Sequence, residues 1–112
     1  MTLGTRGVLL LAVLAVLPLM ALGPGDAAAP RVHTVVMSNM RFGPMPADLR
    51  AGDSIVWINR DLVPHTATSG PGGFDVRLNG GASKKMTVPR AGSFQVVCRF
   101  HPGMRASLAV LR

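Results

Sequence analysis

Hydrophobic and polar residues alternate in short runs along most of this chain, and Gly, Pro, Asn or Asp separates one run from the next. A period of two is typical of strands that bury one face, and after the first thirty residues no stretch of twelve shows a helical apolar period. The pattern therefore predicts an all-β domain, either a β-sandwich or a small barrel, of seven to eight short strands. Strands are predicted over 31–38, 54–59, 65–68, 83–88, 93–98 and 106–111, and the run 47–53 is predicted to give a short strand and a Gly-Asp turn.

The alternation also predicts which side chains face the core. Phe94, Val96 and Cys98 share one face of the run 93–98, because successive side chains of a strand point to opposite sides. The aromatic and aliphatic members should be buried, so we expect Cys98 to point inward at the end of its strand. Trp57, in the β-branched run 54–59, is likewise predicted to be a core residue.

The first residues have a different pattern. A short basic start is followed by an apolar run from Val8 to Leu22 and then by small residues, which is typical of a secretory signal peptide. We predict a signal peptide over 1–27, with cleavage between 27 and 29, and a folded domain over 28–112. The apolar run is shorter than the roughly 20 residues that span a bilayer, so we expect no stable membrane span in the mature form, although an uncleaved anchor stays open. Export would place the domain in a bacterial periplasm.

Charge and cysteine content narrow the function. The formal net charge is +7, and the single Arg and single Asp of the leader cancel, so the domain carries the whole excess. Such a charge either attracts an acidic partner or keeps the protein soluble. We expect no nucleic-acid partner, because the compartment is wrong and no aromatic–basic platform is present. The one cysteine cannot form a disulfide within the chain and is a reactive thiol, an interchain partner or a ligand.

The sequence CRFHPGM, from Cys98 to Met104, places a thiol, an imidazole and a thioether within seven residues. If one strand ends at Cys98 and the next begins at Ala106, residues 98–104 form a tight loop that directs Cys98, His101 and Met104 at one point. Carboxylates are absent, which disfavours calcium, magnesium and manganese, and methionine is unusual for structural zinc. Two histidines and a cysteine with a weak thioether are the ligand pattern of copper in electron-transfer sites.

That pattern needs a second histidine. His33 lies inside the first predicted strand and is interpreted as a surface or edge-strand residue. His65 follows the predicted central strand and begins the next one, in NRDLVPHTAT, where a ligand from a neighbouring strand is expected. We therefore predict that His65 joins Cys98, His101 and Met104.

The stretches GDSIVWINRDLVPHTATS and GSFQVVCRFHPGMRASLAV resemble the cupredoxins, the type 1 blue-copper proteins. The chain is most similar to their amicyanin- and plastocyanin-like members, and the short Cys-x-x-His-x-x-Met spacing resembles the amicyanin-like ones, whose ligand loop is shorter than that of plastocyanin or azurin. The resemblance implies a Greek-key β-sandwich that holds one copper, cycling between Cu(I) and Cu(II). It implies His65, Cys98 and His101 as equatorial ligands and Met104 as the weak axial ligand.

The resemblance also suggests roles for neighbouring residues. Asn59 and Asp61 match positions that brace the ligand loop, although ordinary turn chemistry would also explain them. Thr66 stands where several relatives have asparagine, and its backbone N–H could still donate to the Cys98 sulfur. The resemblance implies that His101 reaches the surface through an apolar patch, with Pro64, Pro102 and Met45 as candidates. Arg60, Arg99 and Arg105 would lie at its rim.

The implied function is electron transfer in the periplasm by a monomer, and not an enzymatic reaction. Multicopper enzymes place histidines beside the cysteine, whereas Val97 and Arg99 flank Cys98 here and the chain has three histidines in all. The partner would be an acidic redox protein, such as an amine dehydrogenase, a c-type cytochrome or a terminal oxidase. The alternative is a copper storage or delivery module without a shuttling role.

Overall fold

The fold was obtained as a computed structural model, which describes residues 29–112 and, of the first eighteen, residues 2, 4, 7, 9–16 and 18. The predicted cleavage positions Ala27 and Ala28, with most of the leader, lie outside the described residues. Among the described residues no helix is long and apolar enough to cross a bilayer. The strands are β1 (Val32–Ser38), β2 (Arg41–Phe42), β3 (Ser54–Asn59), β4 (His65–Ser69), β5 (Asp75–Leu78), β6 (Ser83–Thr87), β7 (Gly92–Cys98) and β8 (His101–Val110).

These strands form two four-stranded sheets, which confirms the predicted all-β architecture. One sheet has the order β2-β1-β3-β6 and the other β5-β4-β7-β8. The β1–β3 pair is parallel, and every other strand pair is antiparallel. Since β4 lies beside β7 and β3 beside β6, residues distant in sequence become neighbours in both sheets.

The core between the sheets follows the period of two. Ile55, Trp57 and Asn59 are the buried positions of β3, and the ring of Trp57 packs edge-on against Phe42 and tilted against Phe74. On the facing sheet, Phe94, Val96 and Cys98 are the buried positions of β7. The predicted inward face of this strand and the burial of Trp57 are therefore confirmed.

The short strand predicted within 47–53 is wrong, whereas the turn predicted at Gly52 and Asp53 is present. Leu49 is fully buried, but the segment makes only an isolated bridge between Arg50 and Leu111. The backbone N–H of Arg50 donates to the carboxylate of Asp53, and the Asp53 N–H donates back to the Arg50 carbonyl. These two hydrogen bonds close a turn that passes through Gly52, with φ of 87°, while the Gly52 N–H donates to the carbonyl of Val88.

Two short strands were not predicted. The strand β2 has only two residues and closes a hairpin with β1. The strand β5 reads Asp-Val-Arg-Leu, and its two charged positions are exposed. Both strands pair at a sheet edge, where a strand needs few apolar residues.

His33 lies at the end of β1 away from Asn59, paired with Ile55. Nε2 of its ring is 3.0 Å from Oδ2 of Asp53. The backbone N–H of Arg50 donates to the same oxygen, and the backbone N–H of Arg31 donates to Oδ1. The hydrogen bonds from Arg31, Arg50 and His33, in that order, lower the pKa of Asp53 from 3.8 to about 2. Asp53 therefore joins the first residues of β1 to the turn before β3.

The lowered pKa of Asp53 predicts how the free energy of unfolding depends on pH. Because the pKa of Asp53 is lower in the folded chain than in the unfolded chain, the ionised group stabilises the fold above about pH 4. That contribution is lost as the pH falls from 3.8 towards 2. Asp53→Asn should therefore unfold more easily in urea at pH 7 and lose less stability than the wild type on acidification. Asp48→Asn, a matched change at an exposed aspartate, is the control, and parallel pH profiles for wild type and Asp53→Asn would contradict the assignment.

Candidate metal centre

Three strand ends of one sheet meet at the candidate site. His65 is the first residue of β4, Cys98 the last of β7 and His101 the first of β8. The antiparallel pairing of β4 with β7 brings the start of β4 beside the end of β7. The β7–β8 hairpin then sets Cys98 directly opposite His101.

The predicted seven-residue loop over 98–104, with a strand from Ala106, is only partly correct. The chain reverses at Arg99–Phe100, and β8 begins at His101. The physical reason is the direct pairing of Cys98 with His101, which needs a turn of only two residues.

The irregular backbone after Cys98 lies within β8. Val97 pairs with Arg105 while Cys98 pairs with His101, so residues 102–104 have no partners on β7 and form a bulge. Pro102 lacks an N–H, and it is tolerated here because β8 is the edge strand of its sheet. The bulge returns the chain so that Met104 is buried.

The ligand atoms of the two histidines and the cysteine converge. Nδ1 of His65 is 3.2 Å from Nδ1 of His101, and Sγ of Cys98 is 3.9 Å and 3.4 Å from these two nitrogens. Bonds from a metal to nitrogen of about 2.0 Å and to sulfur of about 2.3 Å place the ligands of one ion roughly 3 to 4 Å apart. The observed spacing therefore fits a single metal ion held by His65, Cys98 and His101.

Burial divides the site into an inner and an outer part. His65 and Cys98 are buried, whereas His101 is partly exposed. Met104 is buried in the same apolar cluster as Cys98. Its assignment as a fourth ligand stays a prediction.

Asp61 fixes the orientation of the His65 ring. Its carboxylate lies 2.7 Å from Nε2 of His65 and can only accept, so Nε2 carries the proton and Nδ1 presents its lone pair to the site. The same carboxylate accepts the backbone N–H groups of Asn39 and Met40, whose positive φ angles form the β1–β2 turn. The hydrogen bond from His65, followed by that from Met40, holds the pKa of Asp61 below its ordinary value.

Asn59 holds the loop between β3 and His65. Its side-chain amide is within hydrogen-bonding distance of the carbonyl oxygens of Val63, Leu78 and Asn79, and its oxygen accepts the N–H of Asp61. The hydrogen bonds of Asn59 and Asp61 thus hold the loop before His65 and the His65 ring, and not residues 98–104 as predicted.

Thr66 contacts the cysteine in two ways. Its backbone N–H donates to Sγ of Cys98 at 3.4 Å, as predicted. Its hydroxyl oxygen accepts the backbone N–H of Arg99 at 2.8 Å. The threonine side chain therefore ties its strand to the residue after the cysteine.

The three residues expected in an apolar patch around His101 differ in their exposure. Met45 packs against the core and Pro64 is partly buried, whereas Pro102 is exposed. Four exposed apolar residues in the segments around His65, Cys98 and His101 were not predicted, although the apolar pair before Pro64 was a signal for them. These residues are Met40, Leu62, Val63 and Phe100.

Both the sequence and the fold of this chain are similar to those of known proteins. The sequence profile of the family described as Cupredoxin-like domain matches residues 8–110. Amicyanin of Paracoccus denitrificans is 29% identical over 82 residues, which cover 68% of this chain and 63% of amicyanin. Amicyanin-alpha of Methylorubrum extorquens is 30% identical over 84 residues, covering 68% of this chain and 69% of that protein. The chain thus spans less than two thirds of the Paracoccus protein.

Solved structures agree on the fold. A reduced amicyanin mutant superposes with a TM-score of 0.62 at 24% identity, covering 71% of this chain and 82% of that chain. The Cu(I) form of another amicyanin mutant gives a TM-score of 0.63 at 23% identity, covering 76% and 87%. At these identities the likeness concerns the fold alone.

The contact between Asp61 and His65 can be tested by metal binding. Asp61→Asn keeps the size of the side chain but removes its charge and weakens its bond to the His65 ring. We expect the affinity for Cu(II) to fall roughly tenfold, the lower end of the range for lost partners of ligating histidines. Competition titration of metal-free protein would measure it, with Asp48→Asn as the control for loss of one exposed carboxylate. Equal affinities in all three proteins would contradict this role.

Proposed function

This chain belongs to the cupredoxin-like domain family, and we propose that it is an electron-transfer protein with one type 1 copper bound by His65, Cys98, His101 and Met104. The observation that carries the proposal is the convergence of one thiol and two imidazole nitrogens on one point, with only the His101 ring partly exposed. Amicyanin, whose Paracoccus form is 29% identical to this chain, has a structure in a Cu(I) form, which supports copper as the metal.

The chain supplies a soft, preformed ligand set. Bound copper would supply one-electron chemistry between its Cu(I) and Cu(II) states. Cys98 binds as the thiolate, so its proton must leave on binding. The Thr66 N–H donates to the sulfur and withdraws electron density from it, while Asp61 keeps Nδ1 of His65 unprotonated. These groups are fixed by strand pairing and need not rearrange between the two redox states.

His101 is the proposed route for the electron. It is the one partly exposed member of the group, and the exposed Phe100 and Pro102 flank it in sequence. Leu62 and Val63, exposed in the loop before His65, extend the apolar surface. A partner that covers this surface would exclude water and bring its own redox centre close to the imidazole.

The location and partner follow from the leader and the charge. We propose that residues 1–27 are a signal peptide, that residues 28–112 form the copper domain, and that the domain works in the bacterial periplasm as a monomer. The net charge of +7 favours an acidic redox partner. By family resemblance, an amine dehydrogenase, a c-type cytochrome or a terminal oxidase fits this description, and the chain acts as a carrier rather than as an enzyme.

A visible spectrum tests the copper assignment. Residues 28–112 loaded with Cu(II) should turn blue through a thiolate-to-copper band and show a reversible potential. Cys98→Ala should abolish the band, because no other thiol exists in the chain. Met104→Ala should keep the band but shift the potential, since the axial thioether is a weak ligand. A colourless protein that binds only Cu(I) would contradict electron transfer and favour storage or delivery.

The rim arginines should set the rate of partner association. Arg60 and Arg105 are exposed and outside the salt bridges of the described residues, whereas the guanidinium of Arg99 is paired with Asp75. The double variant Arg60→Gln/Arg105→Gln should therefore slow association with an acidic partner and flatten its dependence on salt. Lys84→Gln/Lys85→Gln, with the same charge loss on β6, is the control. Stopped-flow rates that respond equally to both double variants would contradict local steering.

A further inference from the structure

Four side chains beside Cys98 form a hydrogen-bonded ring that begins and ends at Arg99. The backbone N–H of Arg99 donates to the hydroxyl of Thr66, which lies 2.9 Å from the hydroxyl of Thr68. The Thr68 hydroxyl lies 2.7 Å from Oδ1 of Asp75. The Asp75 carboxylate then accepts Nε and Nη2 of the Arg99 guanidinium at 3.1 and 3.2 Å.

The hydrogen bonds of this ring can have only one set of donors and acceptors. A carboxylate accepts and cannot donate, so Thr68 gives its single hydroxyl hydrogen to Asp75. The Thr66 hydroxyl must then donate to Thr68, which leaves its oxygen free to accept from the Arg99 backbone. Each hydroxyl thus donates once and accepts once, and the hydrogen bond from Thr68, followed by the contact with Arg99, keeps the pKa of Asp75 below its ordinary value.

The ring connects the protein surface with the buried cysteine. Asp75 and the Arg99 side chain are exposed, Thr68 is partly buried, and Thr66 is fully buried. Thr66 contacts two consecutive residues at the end of β7. Its backbone N–H donates to the Cys98 sulfur, and its hydroxyl oxygen accepts the backbone N–H of Arg99. The exposed ion pair between Asp75 and Arg99 alone adds little stability. We therefore expect the main effect of the ring at its buried end, where Thr66 contacts Cys98.

We propose that Thr66, Thr68 and Asp75 are positioning residues, which hold the turn after Cys98 and thereby the hydrogen bond from Thr66 to the cysteine sulfur. The effect on the metal-free protein follows from the geometry alone. The effect on the redox potential rests on the proposed copper function, because an N–H donated to a ligating sulfur favours the reduced metal. Loosening the ring should weaken that donation and lower the potential.

The primary test removes one hydroxyl without changing charge. Thr68→Val deletes the middle of the ring, Thr68→Ser retains its hydroxyl, and Thr34→Val makes the same deletion at an exposed threonine of the other sheet. In the metal-free domain, amide exchange of the Arg99 N–H should become roughly fivefold faster in Thr68→Val, the effect expected for one lost hydrogen bond. The Val56 amide of β3 reports on global unfolding and should be unaffected. Thr68→Ser and Thr34→Val should match the wild type at Arg99.

The copper-loaded proteins provide the second readout. Thr68→Val should have a lower potential than the wild type, and Thr68→Ser should restore it. If Thr68→Val and Thr68→Ser have the same Arg99 exchange rate and the same potential, the inference is wrong. If the wild type forms no blue centre, the proposed function fails, while amide exchange still decides whether the ring holds the turn.

A third pair of variants probes the ring from its exposed end. Asp75→Asn removes the acceptor that receives Thr68 and Arg99, and Asp48→Asn removes the carboxylate of another exposed arginine–aspartate pair, with Arg31. Faster exchange at Arg99 in Asp75→Asn alone would support the ring. Equal exchange in the two variants would overturn it, even if Thr68→Val does not fold.

Discussion

The antiparallel pairing of β4 with β7 is the constraint on which the site depends. His65 and Cys98 are 33 residues apart in sequence, and two registered pairs, Thr68 with Val97 and Ser69 with Val96, set them side by side. A shift of the register by one residue would turn the Cys98 side chain to the other face of the sheet. The hydrogen bonds from Thr66 to the Cys98 sulfur and from Arg99 to the Thr66 hydroxyl lie where this pairing ends, and they extend it around the ligands.

The pairing also explains how a partly exposed ligand is combined with two buried ones. His65 and Cys98 occupy positions that the sheet buries, and the two-residue turn after Cys98 places His101 opposite it but nearer to solvent. Asp61 and Asn59 hold the loop on one side, and the Thr66–Arg99 contacts hold the turn on the other. The three residues are thus held by the pairing of β4, β7 and β8 and by contacts of the adjoining loops, while His101 stays partly exposed. The proposed carrier function needs both properties, since a bound metal must be held rigidly and a partner must approach one ligand closely.

The sequence predicted those features that depend on local pattern. The strand β3 was recognised by its β-branched and aromatic residues and β7 by the apolar residues before Cys98, and the inward position of Cys98 followed from the period of two. The Gly-Asp turn in 47–53 was predicted, but the short strand before it was wrong, because the Asp53 side chain accepts the N–H of Arg50, a contact that periodicity does not contain. The start of β8 was missed because Pro102 and Gly103 look like loop residues, although an edge strand with a bulge accommodates both.

The neighbours of the ligands were predictable only where a motif carried them. Asn59, Asp61 and the backbone of Thr66 were expected from resemblance, whereas Thr68 and Asp75 lie on β4 and β5 and reach Arg99 only through the folded sheet. No spacing in the sequence links Asp75 with Arg99, because β5 itself was not recognisable from its charged alternation.

The central claim is that one cysteine and two histidines from three strand ends bind one copper ion. X-ray absorption at the copper edge of the loaded domain tests this claim most directly, because it identifies the ligand atoms themselves. We expect one sulfur and two imidazole nitrogens in the inner shell, with the sulfur contribution lost in Cys98→Ala. An inner shell of nitrogen and oxygen atoms without sulfur in the wild type would contradict it.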